Sequence, residues 1–230
     1  MSTEQEKKRN KLTVILEGLE GFGLIMVCIL FWPILRYILR NIGTTLDERD
    51  DEWPGDTLLD RSDRTSTRAI DIEAAPEKIW PWIVQIGRDK AGFYSYEALD
   101  NLAGLNVKNK ETILQEFQTL REGEFISLHP NGQGIYADRI KPNEFLICKD
   151  WKDDSKIEEL RPVCKKTWSF YIVRVTKHKS RLIIRSCEET LRPDFLHILV
   201  TILFMDPIDF VMEYKMLRTL KRLAEGLGRT

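Results

Sequence analysis

Histidine and cysteine are scarce in this sequence, and neither is spaced for chemistry. His129, His178 and His197 lie far apart, and no two share metal-ligand spacing. Cys28, Cys148, Cys164 and Cys187 form no CxxC pair. Cys28 falls in the most apolar stretch, leaving an odd three for the rest, which argues against a disulfide framework while leaving one bridge open. No Ser or Cys sits in a nucleophile elbow. A net field is missing as well: 35 Lys and Arg stand against 36 Asp and Glu, so nothing draws in a polyanion and nucleic acid is not an expected partner. There is no N-x-Ser/Thr site, no internal repeat and no low-complexity tract. No metal and no cofactor is expected.

What is present is an apolar segment near the start, followed by an ordinary globular composition with 43% hydrophobic residues. Residues 1–11 form a polar tail carrying Lys7, Lys8, Arg9 and Lys11. Gly21 to Leu35 then runs without a charge. Those residues alone span about 22 Å, short of a hydrocarbon core of roughly 30 Å. A helix over 12–40 closes the gap, with Glu17 and Glu20 near one interface, Arg36 and Arg40 near the other, and Trp32 and Tyr37 at belt height. No small-x-small site follows the apolar core, which argues against a cleaved leader. The segment is read as a single-pass transmembrane anchor, with the membrane as a partner. Basic residues on both flanks leave the side of the remaining chain undetermined. Residues 41–66, acidic and broken by Pro54-Gly55, read as a solvated tether.

From residue 67 to 230 the pattern is that of one α+β domain. Thr67 to Glu73 alternates as a half-buried strand. Pro76 opens a helix with Ile79, Trp82, Ile83 and Ile86 on one face, and Tyr96 to Leu102 forms a second short helix. Five further strand-like runs follow, Glu124–Leu128, Gly134–Ile140, Glu144–Trp151, Thr167–Thr176 and Arg181–Glu188, separated by turn residues and by a charged loop from Lys152 to Glu159. A long amphipathic helix, Asp206 to Gly226, closes the chain, with Asp206 as its expected N-cap.

These elements carry a resemblance. Trp53-Pro54-Gly55-Asp56, Ala75-Pro76-Glu77-Lys78-Ile79-Trp80-Pro81-Trp82, Gln85-Ile86-Gly87, Gly92-Phe93-Tyr94-Ser95-Tyr96 and Leu99-Asp100-Asn101-Leu102 resemble the START, polyketide cyclase/dehydrase and SRPBCC superfamily, in particular its membrane-anchored members. Phe210-Val211-Met212-Glu213 and Met216-Leu217 fit the same pattern. The resemblance implies a helix-grip fold, in which a curved antiparallel sheet wraps a long C-terminal helix around an apolar cavity. It does not imply a reaction, because one fold hosts many functions.

The candidate ligand-binding residues are Trp82, Gln85, Phe93, Tyr94, Ser95, Asp100, Asn101, Asp138, Trp168, Met212 and Met216. Tyr94, Ser95 and Asp100 either project polar groups into a cavity mouth or satisfy turn backbone. Asp138 either points inward or pairs across the sheet, and Trp168 is core or cavity wall. Phe195 to Met205, uncharged and too short to span, either touches membrane or is buried. The leading expectation is a membrane-anchored carrier or sensor for a hydrophobic small molecule or lipid. The alternatives are a cyclase- or dehydratase-like enzyme using cavity acids and bases, and an interaction module whose cavity is filled.

Overall fold

A computed structural model describes residues 11–152, 164–191 and 195–227, apart from the side chains of residues 33, 197 and 198. The charged loop expected over Lys152–Glu159 lies outside them except for Lys152, as does the polar tail except for Lys11. Helix α1 (Lys11–Arg40) and the short α2 (Leu46–Asp50) precede strand β1 (Arg64–Ile72). Helices α3 (Pro76–Val84) and α4 (Glu97–Leu102) separate β1 from β2 (Phe125–Ser127), β3 (Gly134–Lys141), β4 (Phe145–Lys149), β5 (Cys164–Thr176) and β6 (Lys179–Thr190). Helices α5 (Phe195–Val200) and α6 (Asp206–Ala224) end the chain. All six strands join one antiparallel sheet in the order β1-β6-β5-β4-β3-β2. The architecture is α+β, and each strand lies within three residues of its expected ends.

The sheet buries its inner face against α3 and α6. Ile72, Ile79, Trp82, Ile83, Leu182, Leu217 and Leu220 fill the space under the C-terminal half of α6. Asp206 does not cap that helix. Helix α5 runs through a π-helical stretch (Thr201–Met205) directly into α6, so Met205 is itself helical and the usual orphan amides do not arise. The Asp206 carboxylate instead pairs with Arg40 and, at 2.7 Å, with Arg64.

The segment read from composition as a tether is a strap on the outer face of the sheet. Thr45 and Glu48 form a reciprocal capping box that starts α2. Trp53 packs 4.7 Å from the Tyr171 ring, whose hydroxyl donates to the Pro54 carbonyl. Arg185 reaches Asp56 at 2.9 Å, and Arg181 pairs with Glu48. Of the acidic residues that suggested solvation, Glu48 and Asp56 are partners of arginines on the outer face of β6, while Asp50 pairs with Arg49 beside it.

Helix α1 is long and apolar enough to cross a membrane, with mean hydropathy 2.2 over Lys11–Trp32. Its sides are not alike, however. Val14, Gly18, Gly21, Ile25, Cys28, Trp32, Leu35 and Leu39 alternate spacings of four and three, which puts them on one stripe. All are buried or half-buried. The stripe packs on Tyr96 and Leu99 of the α4 region and on Phe210, Val211 and Tyr214 of α6. Glycine permits the approach: a Cβ on Gly18 would lie 2.7 Å from that of Ala98, and one on Gly21 2.8 Å from the Tyr96 ring. The other sides, including Ile15, Leu19, Phe22, Met26, Leu30 and Ile34, are exposed. Exposed too are Phe195, Leu196, Leu199, Val200, Phe204 and Met205, so the second apolar segment is not buried against the sheet.

Candidate functional site

The N-terminal half of α6 stands over a hollow rather than a packed core. The cavity has a volume of about 920 Å³ and lies between α6, the inner faces of β1, β6, β5, β3 and β2, and the loop before α4. Strand register builds its walls. Across β1, β6 and β5, Ile70, Leu182 and Ile172 form one inward row, and Arg68, Ile184 and Phe170 the next. Then come Ser66, Ser186 and Trp168, and finally Arg64, Glu188 and Lys166. One face of the sheet therefore grades from hydrocarbon to charge along the strands. Phe93, Leu105, Phe125, Leu128, Ile135, Met212 and Met216 supply the remaining apolar wall.

Asn109 sets the loop that carries Phe93 and Ser95. Its Oδ1 accepts from the Phe93 and Tyr94 amides at 3.0 and 2.9 Å, and its Nδ2 donates to the Ser95 carbonyl at 3.0 Å. Tyr94 is thereby held at φ 58°, a left-handed conformation that costs a non-glycine residue energy. At Gly92, φ 82°, a Cβ would lie 2.4 Å from Asn109 Oδ1, so only glycine fits. The strained turn points Tyr94 into the core, edge-on to Trp82 at 6.2 Å, and leaves Phe93 and Ser95 on the cavity.

Of the eleven candidates, Phe93, Ser95, Asp100, Trp168, Met212 and Met216 line the cavity together. The other five lie elsewhere. Gln85 is a buried pin: its Nε2 donates to the Tyr94 hydroxyl (2.6 Å) and the Thr112 carbonyl (3.1 Å), while its Oε1 accepts from the Leu114 amide (2.9 Å). Asn101 clamps Val107 through both amide and carbonyl. Trp82 and Tyr94 are core, and Asp138 pairs with Lys149 at 2.7 Å. Among the histidines, His129 lies on the cavity wall, where its Nδ1 accepts from the Asn131 amide at 3.1 Å.

The charged end of the cavity was not foreseen. Glu188 receives Arg64 at 2.6 Å and Lys166 at 2.9 Å. Arg68, buried, pairs with Glu213, donates to the Leu39 carbonyl at 3.1 Å and lies over the Phe210 ring. Glu213 also accepts from the Trp168 indole at 3.1 Å. Asp209, an exposed residue, borders the cavity and forms no hydrogen bond or ion pair among the described residues.

Two carboxyls on the cavity are raised above the ordinary carboxylate range. Burial pushes Asp100 up to about 6, against the Ser95 hydroxyl that donates to it at 2.5 Å. Desolvation by its surroundings likewise raises Asp209 to about 6, although the residue is exposed and the Lys166 charge pulls the other way. Burial works against the charged form of Lys166, but Glu188 outweighs it and the net shift is upward. Burial also raises the Tyr94 phenol, which therefore stays neutral.

No family model and no curated protein matches the chain. Solved structures do resemble it: a Mesorhizobium loti protein at 15% identity covers 72% of this chain and 100% of its own, with TM-score 0.39. A hypothetical protein from Helicobacter pylori, at 10% identity, covers 75% and 98% with TM-score 0.40. CalU16 from Micromonospora echinospora, at 13% identity, covers 71% and 85% with TM-score 0.33. Likenesses this distant carry no residue's role across.

Proposed function

We propose that the chain is a membrane-attached binding module of the helix-grip, START-like kind, which takes up a hydrophobic small molecule or lipid as carrier or sensor. The observation that carries this reading is the 920 Å³ hollow under the first half of α6. Its size lies within the range of small-molecule sites, and apolar burial there contributes about 25 cal/mol per Å². The exposed stripe of α1 and the exposed apolar side chains of Phe195–Met205 give the attachment, and Met205 belongs to both that surface and the cavity wall. With its inner seam on α4 and α6, α1 lies along the domain, and its outer stripe is the face for lipid. The single pass read from the sequence would require that seam to open.

The test is mass spectrometry of the full-length chain after gentle detergent extraction, followed by titration with a neutral fluorescent apolar probe. A co-purifying lipid-like molecule and saturable probe uptake are expected. A chain that emerges empty and takes up no probe overturns the reading.

One observation favours a catalytic version of the same site: the buried Ser95–Asp100 pair, with a carboxyl that titrates near pH 6, faces the cavity. An acid–base reaction on a bound ligand would require Asp100, and Asp100→Asn would abolish turnover while probe uptake persisted. An interaction module with a filled cavity has no comparable support.

A further inference from the structure

Of the acids on the cavity wall, Asp100 is set apart by its partners. Glu188, Asp206 and Glu213 each hold arginine or lysine, and Asp150 accepts the Lys166 backbone amide at 2.9 Å. Asp209 is exposed. Asp100 is only 5% exposed, and among the described residues its carboxyl has a single partner, the Ser95 hydroxyl that donates to Oδ2 at 2.5 Å. Ser95 is itself 3% exposed. The second oxygen, Oδ1, has no partner among the described residues, yet it is not sealed inside the protein. The unpartnered side-chain atoms that are closed off among those residues are Trp32 Nε1, Arg64 Nη1, Arg88 Nε and Glu189 Oε2. Oδ1 of Asp100 therefore opens on the cavity that the residue lines.

That oxygen serves no helix cap. Asp100 sits in the middle of α4, whose start takes no side-chain hydrogen bond. The Ser95–Asp100 pair is nonetheless held in place from both sides. Asn109 Nδ2 donates to the Ser95 carbonyl at 3.0 Å, and the Asp100 carbonyl accepts the Leu105 amide at 3.0 Å. Phe93 and Leu105 line the same cavity. A buried oxygen facing an apolar chamber leaves a hydrogen-bond site for a bound molecule to complete, and a pair already fixed in position adds little ordering cost to binding.

Resting on the cavity reading above, we propose that the ligand is an amphiphile with a hydroxyl head, which donates to Asp100 Oδ1 at the Ser95–Asp100 pair. Its tail lies against Leu105, Trp168, Met212 and Met216. A hydroxyl brings one donor to one free oxygen, whereas an ammonium brings three donors and a charge that an apolar wall does not solvate. An ether brings none and leaves the oxygen unpaired. The raised carboxyl of Asp100 agrees with this match, since a protonated Asp100 finds an acceptor in the same hydroxyl.

The experiment reconstitutes the full-length chain in phosphatidylcholine vesicles, whose lipids carry no hydrogen-bond donor, and displaces a neutral fluorescent apolar probe at pH 7. Three competitors are compared at equal mole fraction in the membrane: tetradecanol, its isomer methyl tridecyl ether, and tetradecylamine. Tetradecanol is expected to compete about tenfold more tightly than the ether, the scale of one hydrogen bond to a carboxylate, and at least as tightly as the amine. Asp100→Leu should bring alcohol and ether together, while Asp100→Asn, which keeps an accepting oxygen, should hold them apart. If Asp100→Leu does not fold, the comparison on the native chain still decides. An ether that competes as well as the alcohol, an amine that out-competes it, or a gap unchanged in Asp100→Leu overturns the inference while the cavity reading stands. Failure of the neutral probe to bind overturns both.

Discussion

Asn109 touches no ligand wall, yet the wall depends on it. Its side chain is buried and supplies both amides of the strained turn with their acceptor. Asn109→Ala would leave the Phe93 and Tyr94 amides unpaired, at a cost of about 2–4 kcal/mol. Urea unfolding should show that loss, and probe uptake should fall with it because Phe93 and Ser95 lose their placement. Asp100 offers a second test at this scale. Its folded carboxyl titrates near 6 against an ordinary 3.8, so between those values the folded state binds more protons than the unfolded. Its contribution is therefore most favourable below about pH 4, falls as pH rises towards 6, and levels off about 3 kcal/mol lower. Asp100→Asn should flatten that slope in stability measured from pH 4 to 7. An unchanged slope would remove the basis for treating Asp100 as a perturbed acid.

At the scale of elements, sequence and structure part company in an instructive way. The strands were legible because a sheet with one buried face writes alternation into its residues, and Pro130-Asn131-Gly132 and Lys141-Pro142-Asn143 mark its turns. The inner face of β1 was not legible at its start. Arg64, Ser66 and Arg68 occupy the inward positions that alternation assigns to apolar side chains, because there they wall a cavity and meet Glu188, Asp206 and Glu213. Inward charge is indistinguishable in sequence from a solvated face. Helix α1 hid its seam for the converse reason. Gly18, Gly21, Cys28 and Trp32 are as uncharged as the exposed positions between them, so hydropathy could not separate docked from exposed sides. Replacement separates them. Gly21→Leu drives a side chain into Tyr96 and Leu99, and should lower the melting point of the detergent-solubilised chain by the equivalent of about 1–3 kcal/mol. Gly23→Leu, where nothing lies within 4 Å, should leave it unchanged. Equal melting points for the two variants would mean that the seam is not formed.

The whole molecule presents one broad greasy side, made by the outer stripe of α1 and by Phe195, Leu196, Leu199, Val200, Phe204 and Met205. Exposed apolar surface on that scale needs a covering phase. Ile202 packs in the same cluster as Trp32 and Leu39, so the two apolar elements belong to one side of the fold. Lys215 of α6 holds Glu17 at 3.5 Å while Arg40, at the other end of α1, holds Asp206 of the same helix. Both ends of α1 are thus tied to one domain, and a helix tied at both ends cannot deliver its ends to opposite faces of a bilayer unless those ties open. A helix lying in one leaflet keeps its Lys11 end and the domain on the same side. An epitope placed before Met1 and a second placed after Thr230 should therefore be digested together, or protected together, when protease is added to sealed vesicles. Digestion of one and protection of the other would show that α1 crosses the bilayer and that its seam to α4 and α6 opens in the membrane.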